Sequence, residues 1–131
     1  GQIAFPGGKL DAGDTDACAA ALREAWEEIG LPQELPKIIG CLPEHETVTG
    51  FSVTPVVALI QEDFTVRPEA GEVAEVFSVP LAHVLDPKNY IIESRRWRGT
   101  RRRYYTVPYG SYYIWGATAR MLRGFAARME M

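Results

Sequence analysis

Glu24, Glu27 and Glu28 stand at i, i+3 and i+4 within FPGGKLDAGDTDACAAALREAWEEIGL, residues 5–31. On a helix turning about 100° per residue they share one side, with Ala20 a turn earlier. Three anionic groups so close repel one another by roughly a few tenths of a kcal/mol per pair when exposed, and by more when desolvated. A cation among them would relieve that repulsion. Carboxylate oxygens are hard ligands suited to magnesium or manganese, and magnesium keeps several waters and takes further oxygens from a substrate phosphate. The chemistry implied is phosphoryl transfer to water. A solvated amphipathic helix with a charged outer face would carry the same glutamates, so the surrounding residues must decide.

The element that positions these acids is a helix over 17–29. Asp14, Thr15 and Asp16 are N-cap candidates, Ala17 to Ile29 contains neither proline nor glycine, and Gly30 before Leu31-Pro32 is a stop signal. Cys18, Ala21, Leu22, Ala25 and Ile29 recur at the spacing of an apolar stripe, so the acidic face is expected to point away from the packing surface. Gly7 and Gly8, just upstream, let a loop backbone approach a metal or phosphate, with a main-chain carbonyl as a plausible ligand. Lys9 could neutralise a phosphate or simply be solvated.

Further along, 38–42 reads as a short strand and 51–60 as a longer one, with Pro55 arguing for an edge or bulge. Val73 to Val79 reads as a strand leading into a helical turn over 81–85, stopped at Asp86-Pro87. A hairpin follows, Tyr90 to Trp97 and Arg101 to Val107 about a turn at Gly99-Thr100. Ser111 to Met129 carries Ile114, Trp115, Thr118, Leu122, Phe125, Ala126 and Met129 at helical spacing. Strands with helices at both ends of the chain indicate α/β layer packing.

With 131 residues and a 47% hydrophobic fraction, one domain covering the whole chain is expected. No apolar run approaches the roughly 18 residues of a membrane span, and cytoplasm is the default location. Cys18 and Cys41 fit no disulfide scaffold or metal spacing and are expected to be buried, reduced thiols.

Six arginines, Arg95, Arg96, Arg98, Arg101, Arg102 and Arg103, crowd the hairpin, while the other eight basic residues face seventeen acidic ones. A basic hairpin therefore projects from an acidic body. Its guanidinium groups could grip a phosphate remote from the metal, and Trp97, Tyr104 and Tyr105 could stack on a base. Alternate hairpin residues point to opposite faces, so some arginines would be only solvated. The net charge of −3 lacks the broad basic surface of a nucleic-acid binder. His45, Glu46, Thr47 and Thr49 sit in a loop between strands, where substrate contacts are common. His45 could be a base or only a surface donor, and Glu44 is read with the same caution.

The stretch resembles the Nudix box, GX5EX7REUXEEXGU with U bulky and aliphatic. Arg23, Glu24, Glu27, Glu28, Gly30 and Leu31 match its second half, with Ala25 at the first U. In the first half, five residues separate Gly8 from Asp14, an acid in place of glutamate, and eight rather than seven precede Arg23, which reads as a one-residue insertion. Gly1 followed after three residues by Phe5-Pro6-Gly7-Gly8 is similar to the end of the coenzyme A diphosphatase subgroup's signature, so an N-terminal segment is expected to be missing. Thr49-Gly50-Phe51, Val53 to Val57 and Ile114 to Thr118 resemble the same subgroup.

The resemblance implies the Nudix fold, a mixed β-sheet sandwiched between helices (α/β/α), and a catalytic set of Glu24, Glu27, Glu28 and Arg23. Glu27 and Glu28 would be metal ligands, Glu24 a further ligand or the base, Gly7 a carbonyl ligand, and Arg23 the group orienting a glutamate. The cofactor would be Mg2+ or Mn2+. Gly8, Lys9, Arg95, Arg96 and Arg98 would contact a small-molecule substrate, coenzyme A or another nucleoside diphosphate derivative. Glu72 and Glu75 are candidates for an acid outside the box. A homodimer is frequent in the family, and no membrane or nucleic-acid partner is implied. A nucleotide sensor without catalysis is the alternative from another class, and the intact glutamates speak against it.

Overall fold

The computed structural model describes residues 2–47 and 49–130, with Trp97 described by its backbone alone. Two units of chain form. The first comprises residues 5–46 and 50–77, the second residues 2–4, 47, 49 and 78–130 among those described.

In the first unit the predicted helix forms as α1, Ala17–Ile29. Asp16 is its N-cap, its carboxylate accepting the Ala19 amide at 2.8 Å. Gly30 closes it at φ 76°, a left-handed conformation cheap only for glycine, and returns its N–H to the Trp26 carbonyl. Ala20 and Ala25 are buried on α1, as is Leu31 just beyond it. The helix packs on β4, Val56–Leu59, which pairs antiparallel with β1, Lys37–Cys41, from Lys37 opposite Leu59 to Cys41 opposite Val56. A bulge between Ile38 and Gly40 interrupts that ladder.

The long strand expected over 51–60 is split. Only Ser52–Val53, β3, and β4 are strand, because Pro55 has no N–H to give a ladder; its carbonyl accepts from Leu42 instead. β3 pairs with His45–Glu46, β2, so those two residues lie in a strand rather than in the expected loop. Beyond β4 the chain runs beside the end of α1, where Arg67 and Glu69 donate their amides to the Ile29 and Glu28 carbonyls at 2.9 and 2.8 Å. No strand forms over 73–79: the Val73 amide turns back to the Glu69 carbonyl, and no neighbouring strand pairs with the segment.

The second unit holds α2, Leu81–Leu85, a 3-10 turn at Pro87–Asn89, strands β5, Ile91–Trp97, and β6, Thr100–Thr106, and helix α3, Gly116–Met129. β5 and β6 are a registered antiparallel hairpin in which Trp97 faces Thr100. Its two-residue turn is Arg98-Gly99, one residue earlier than expected, with φ of 51° and 76°. Positive φ at both positions matches the twist of the flanking strands. α3 begins at Gly116 rather than Ser111. The intervening chain folds back at Gly110 and bridges Tyr109 to Tyr112 and Thr106 to Trp115, while the Val107 amide bonds the Ile114 carbonyl. α3 packs on α2 and β6 over Val84, Val107, Ile114, Ala119 and Ala126.

Among the described residues, three α-helices and three two-stranded antiparallel sheets constitute an α/β fold.

Candidate active site

The first three helical turns of α1 set up an interaction that its sequence leaves implicit. Arg23 is a hub. Its Nε and Nη2 grip Asp14 at 3.1 and 3.0 Å, its Nη1 reaches Glu24 Oε1 and Glu27 Oε2 at 3.1 Å each, and Nη2 also donates to the Lys9 carbonyl at 3.1 Å. Asp11 adds an ion pair at 3.4 Å. A planar guanidinium with five fixed donors can serve such a convergence, where a lysine could not.

Asp14 anchors the hub. Its side chain is only 6% exposed, it accepts the Asp11 amide at 2.7 Å, and its own amide closes a turn to the Asp11 carbonyl. Hydrogen bonding from Arg23 first, then from Asp11, holds its carboxyl below the ordinary aspartate value, and the same partnership pushes Arg23 upward. The one-residue insertion in the box thus leaves the acid in contact with the arginine. The sequence signal was the acid itself, one position out of register.

The acidic face is partly covered, with Glu27 left exposed. The Gly7-Gly8 turn lies across it: the Gly7 amide donates to Glu28 Oε2 at 3.1 Å, and a Cβ placed on Gly8 would stand 2.6 Å from Glu24 Oε1. The apolar stripe of α1 identifies the face that packs on the sheet, but it is blind to a glycine loop that covers the opposite side with backbone. Glu28 is half-buried, and burial is the main reason its carboxyl titrates above the ordinary glutamate value. The Gly7 bond opposes that rise, while the charges of Glu24 and Glu69 add to it.

Glu24 and Glu28 are thus two acids close enough for the charge of one to act on the other, beneath a loop in which Gly8 leaves room for the Glu24 carboxylate. Among the described residues no group of three acidic, cysteine or histidine side chains is gathered into a metal cage. The donor set nevertheless fits a hard divalent ion of the kind held by one or two carboxylates, with water and substrate oxygens filling the shell. Glu27 is placed differently: bonded to Arg23, it lines an open cavity of ≈ 310 Å³ with Trp26, Gly30, Arg67, Pro68 and Glu69. There the Arg67 guanidinium stacks over the Trp26 ring at 4.9 Å, a pairing that sequence reasoning missed.

Lys9 contributes its carbonyl to Arg23, while its ammonium sits 5.5 Å from the Phe51 ring centroid. Glu72 and Glu75 are both exposed, and Glu72 closes a turn onto the Glu69 carbonyl. The Thr47 and Thr49 hydroxyls bond each other at 3.0 Å.

In the second unit the register sorts the arginines. Arg95 and Arg102 share one face of the hairpin with Glu93 and Tyr104; Arg96, Arg101 and Arg103 share the other. Arg95 stacks over Trp115 at 5.2 Å, and Tyr113 donates to Glu93 at 2.5 Å. Arg98 occupies the turn. Gly1 and the Trp97 side chain, both invoked above, lie outside the described residues.

The site is a glycine turn over an arginine-organised carboxylate cluster on one helix, and comparison with known proteins gives its class, a hydrolase acting on phosphorus anhydrides. The NUDIX domain family model matches residues 1–98. The chain is 44% identical over 131 residues to "Uncharacterized Nudix hydrolase NudL" of Enterobacter sp. (strain 638), covering 100% of this chain and 68% of that protein. Proteins of the same name from Cronobacter sakazakii (strain ATCC BAA-894) and Salmonella paratyphi B (strain ATCC BAA-1250 / SPB7) are each 43% identical over 129 residues, 98% of this chain and 67% of theirs. The chain belongs to the Nudix family and is a Nudix hydrolase. No described helix is long and apolar enough to cross a membrane.

Proposed function

We propose that this Nudix hydrolase is a Mg2+- or Mn2+-dependent diphosphatase of coenzyme A or its acyl derivatives, yielding 4′-phosphopantetheine species and adenosine 3′,5′-bisphosphate. The observation that carries the hydrolytic reading is the pair Glu24 and Glu28 beneath the Gly7-Gly8 turn, with Arg23 holding Glu24 in place. Glu24 and Glu28 are the residues that would hold the metal, with Glu27 or the Gly7 carbonyl as further donors. When bound, such an ion polarises a phosphoryl oxygen, acidifies water and neutralises charge at the leaving oxygen. Arg23 contributes orientation by fixing one Glu24 oxygen through Nη1, and Glu24 would serve as a ligand or as the base that activates water. The substrate assignment rests on the resemblance of Phe5-Pro6-Gly7-Gly8 to the coenzyme A diphosphatase signature and on the arginine-rich hairpin, whose guanidinium groups suit a phosphate; Arg95 and Arg96, on opposite faces, would not serve the same one.

Product analysis tests this reading. Incubated with coenzyme A and either metal, the protein should release adenosine 3′,5′-bisphosphate, and Glu28→Gln should reduce the rate at least a hundredfold, on the order seen for loss of a charge-stabilising group. Cleavage of ADP-ribose or a dinucleotide but not coenzyme A would keep the chemistry and sink the substrate.

A further inference from the structure

The fold of the first unit brings together two nucleophiles that the hydrolytic site does not use. Cys18 lies in the first turn of α1 and Cys41 ends β1, 23 positions apart, yet their Sγ atoms are 3.8 Å from each other. The topology accounts for the meeting: α1 packs on β4, and β4 pairs with β1 so that Cys41 stands opposite Val56. Contrary to the expectation of buried thiols, Cys41 is exposed and Cys18 half-buried, because β1 sits at the surface. Burial and the neighbouring Cys41 make Cys18 hold its proton more tightly than an ordinary thiol.

We propose that Cys18 and Cys41 form a redox-sensitive pair that closes to an intramolecular disulfide on meeting a low-molecular-weight organic disulfide, fastening the first turn of α1 to the end of β1. From 3.8 Å, a bond of about 2.05 Å requires each sulfur to move by on the order of 1 Å, within reach of side-chain rotation. Exposure makes Cys41 the first to react. Its thiolate, after losing a proton to solvent, attacks one sulfur of the organic disulfide, forming a mixed disulfide and expelling one thiolate. Cys18 then releases its proton, and its thiolate attacks Cys41 Sγ, breaking the mixed bond and expelling the second thiolate. The two expelled thiolates take up two protons, so two protein thiols are oxidised and one organic disulfide is reduced. The bond would restrain the start of the helix that carries Glu24 and Glu28.

The test treats the wild-type protein, Cys18→Ser and Cys41→Ser with oxidised glutathione and follows intact mass, free thiols and Tm. Wild type should lose both thiols and the mass of two hydrogens without retaining glutathione. Its Tm should rise by on the order of 5 to 10 °C, reversibly with dithiothreitol. Cys18→Ser should stop at a stable glutathione adduct on Cys41. A wild-type protein that keeps glutathione, cross-links between chains or leaves both thiols free would overturn the proposal. So would an internal disulfide that fails to raise Tm.

Discussion

Asp14 and Glu28 are acids on either side of the same cluster, and their surroundings push them in opposite directions. Asp14 titrates below its ordinary value because Arg23 and the Asp11 amide favour its charged form. Its contribution to stability is therefore present above about pH 4 and is lost as pH falls through the depressed folded-state value. Asp14→Asn should lower Tm at neutral pH and flatten the acid limb of a Tm profile from pH 7 to 2. Because Arg23 would lose its anchor, kcat should fall by roughly tenfold to a hundredfold. A variant with unchanged neutral Tm and unchanged acid limb would show that the Asp14 contact is idle. At Gly8, by contrast, any side chain would have to displace the Glu24 carboxylate that Arg23 holds.

The helix α1 owes its position as much to its end as to its length. Gly30 closes it in the left-handed region, and a Cβ there would also stand 3.1 Å from the Cβ of Arg67. Arg67 and Glu69 bond the last carbonyls of α1, so strain at Gly30 would spread to the segment that flanks Glu28. Gly30→Ala should destabilise the protein by about 1 to 2 kcal/mol, read as a lower urea midpoint with an unchanged slope. An unaltered midpoint would mean that the left-handed closure costs alanine nothing here. The hairpin shows the same dependence on detail at a different element: its register decides that Arg95 meets Trp115 while Arg96 stands on the opposite face.

At the scale of the whole molecule, burial first and the charge of Glu24 after it disfavour the ionised form of Glu28. The raised value of Glu28 carries the opposite sign to Asp14: the stability it gives is present at low pH and is lost as pH rises through its folded-state value. In chelator, Glu28→Gln should therefore be at least as stable as wild type near pH 7. Added Mg2+ should raise the wild-type Tm, corresponding to about 1.4 kcal/mol at ten times its Kd, and leave the variant nearly unmoved. An equal metal response in both proteins would remove Glu28 from the metal site. The sequence by itself determined α1 to the residue, through its aspartate cap, uninterrupted interior and glycine stop, and also the hairpin, the α2 turn and the family-bearing glutamates. These signals are local, since a helix or hairpin is specified by neighbours a few positions apart. Tertiary structure alone decided that Asp14 clamps Arg23, that a glycine loop lies against Glu24 and Glu28, that Val73 to Val79 is not a strand, and that Cys18 meets Cys41. Each of those depends on where a distant segment returns and on whether a partner stands ready to accept its hydrogen bonds, which residue spacing along one element does not encode.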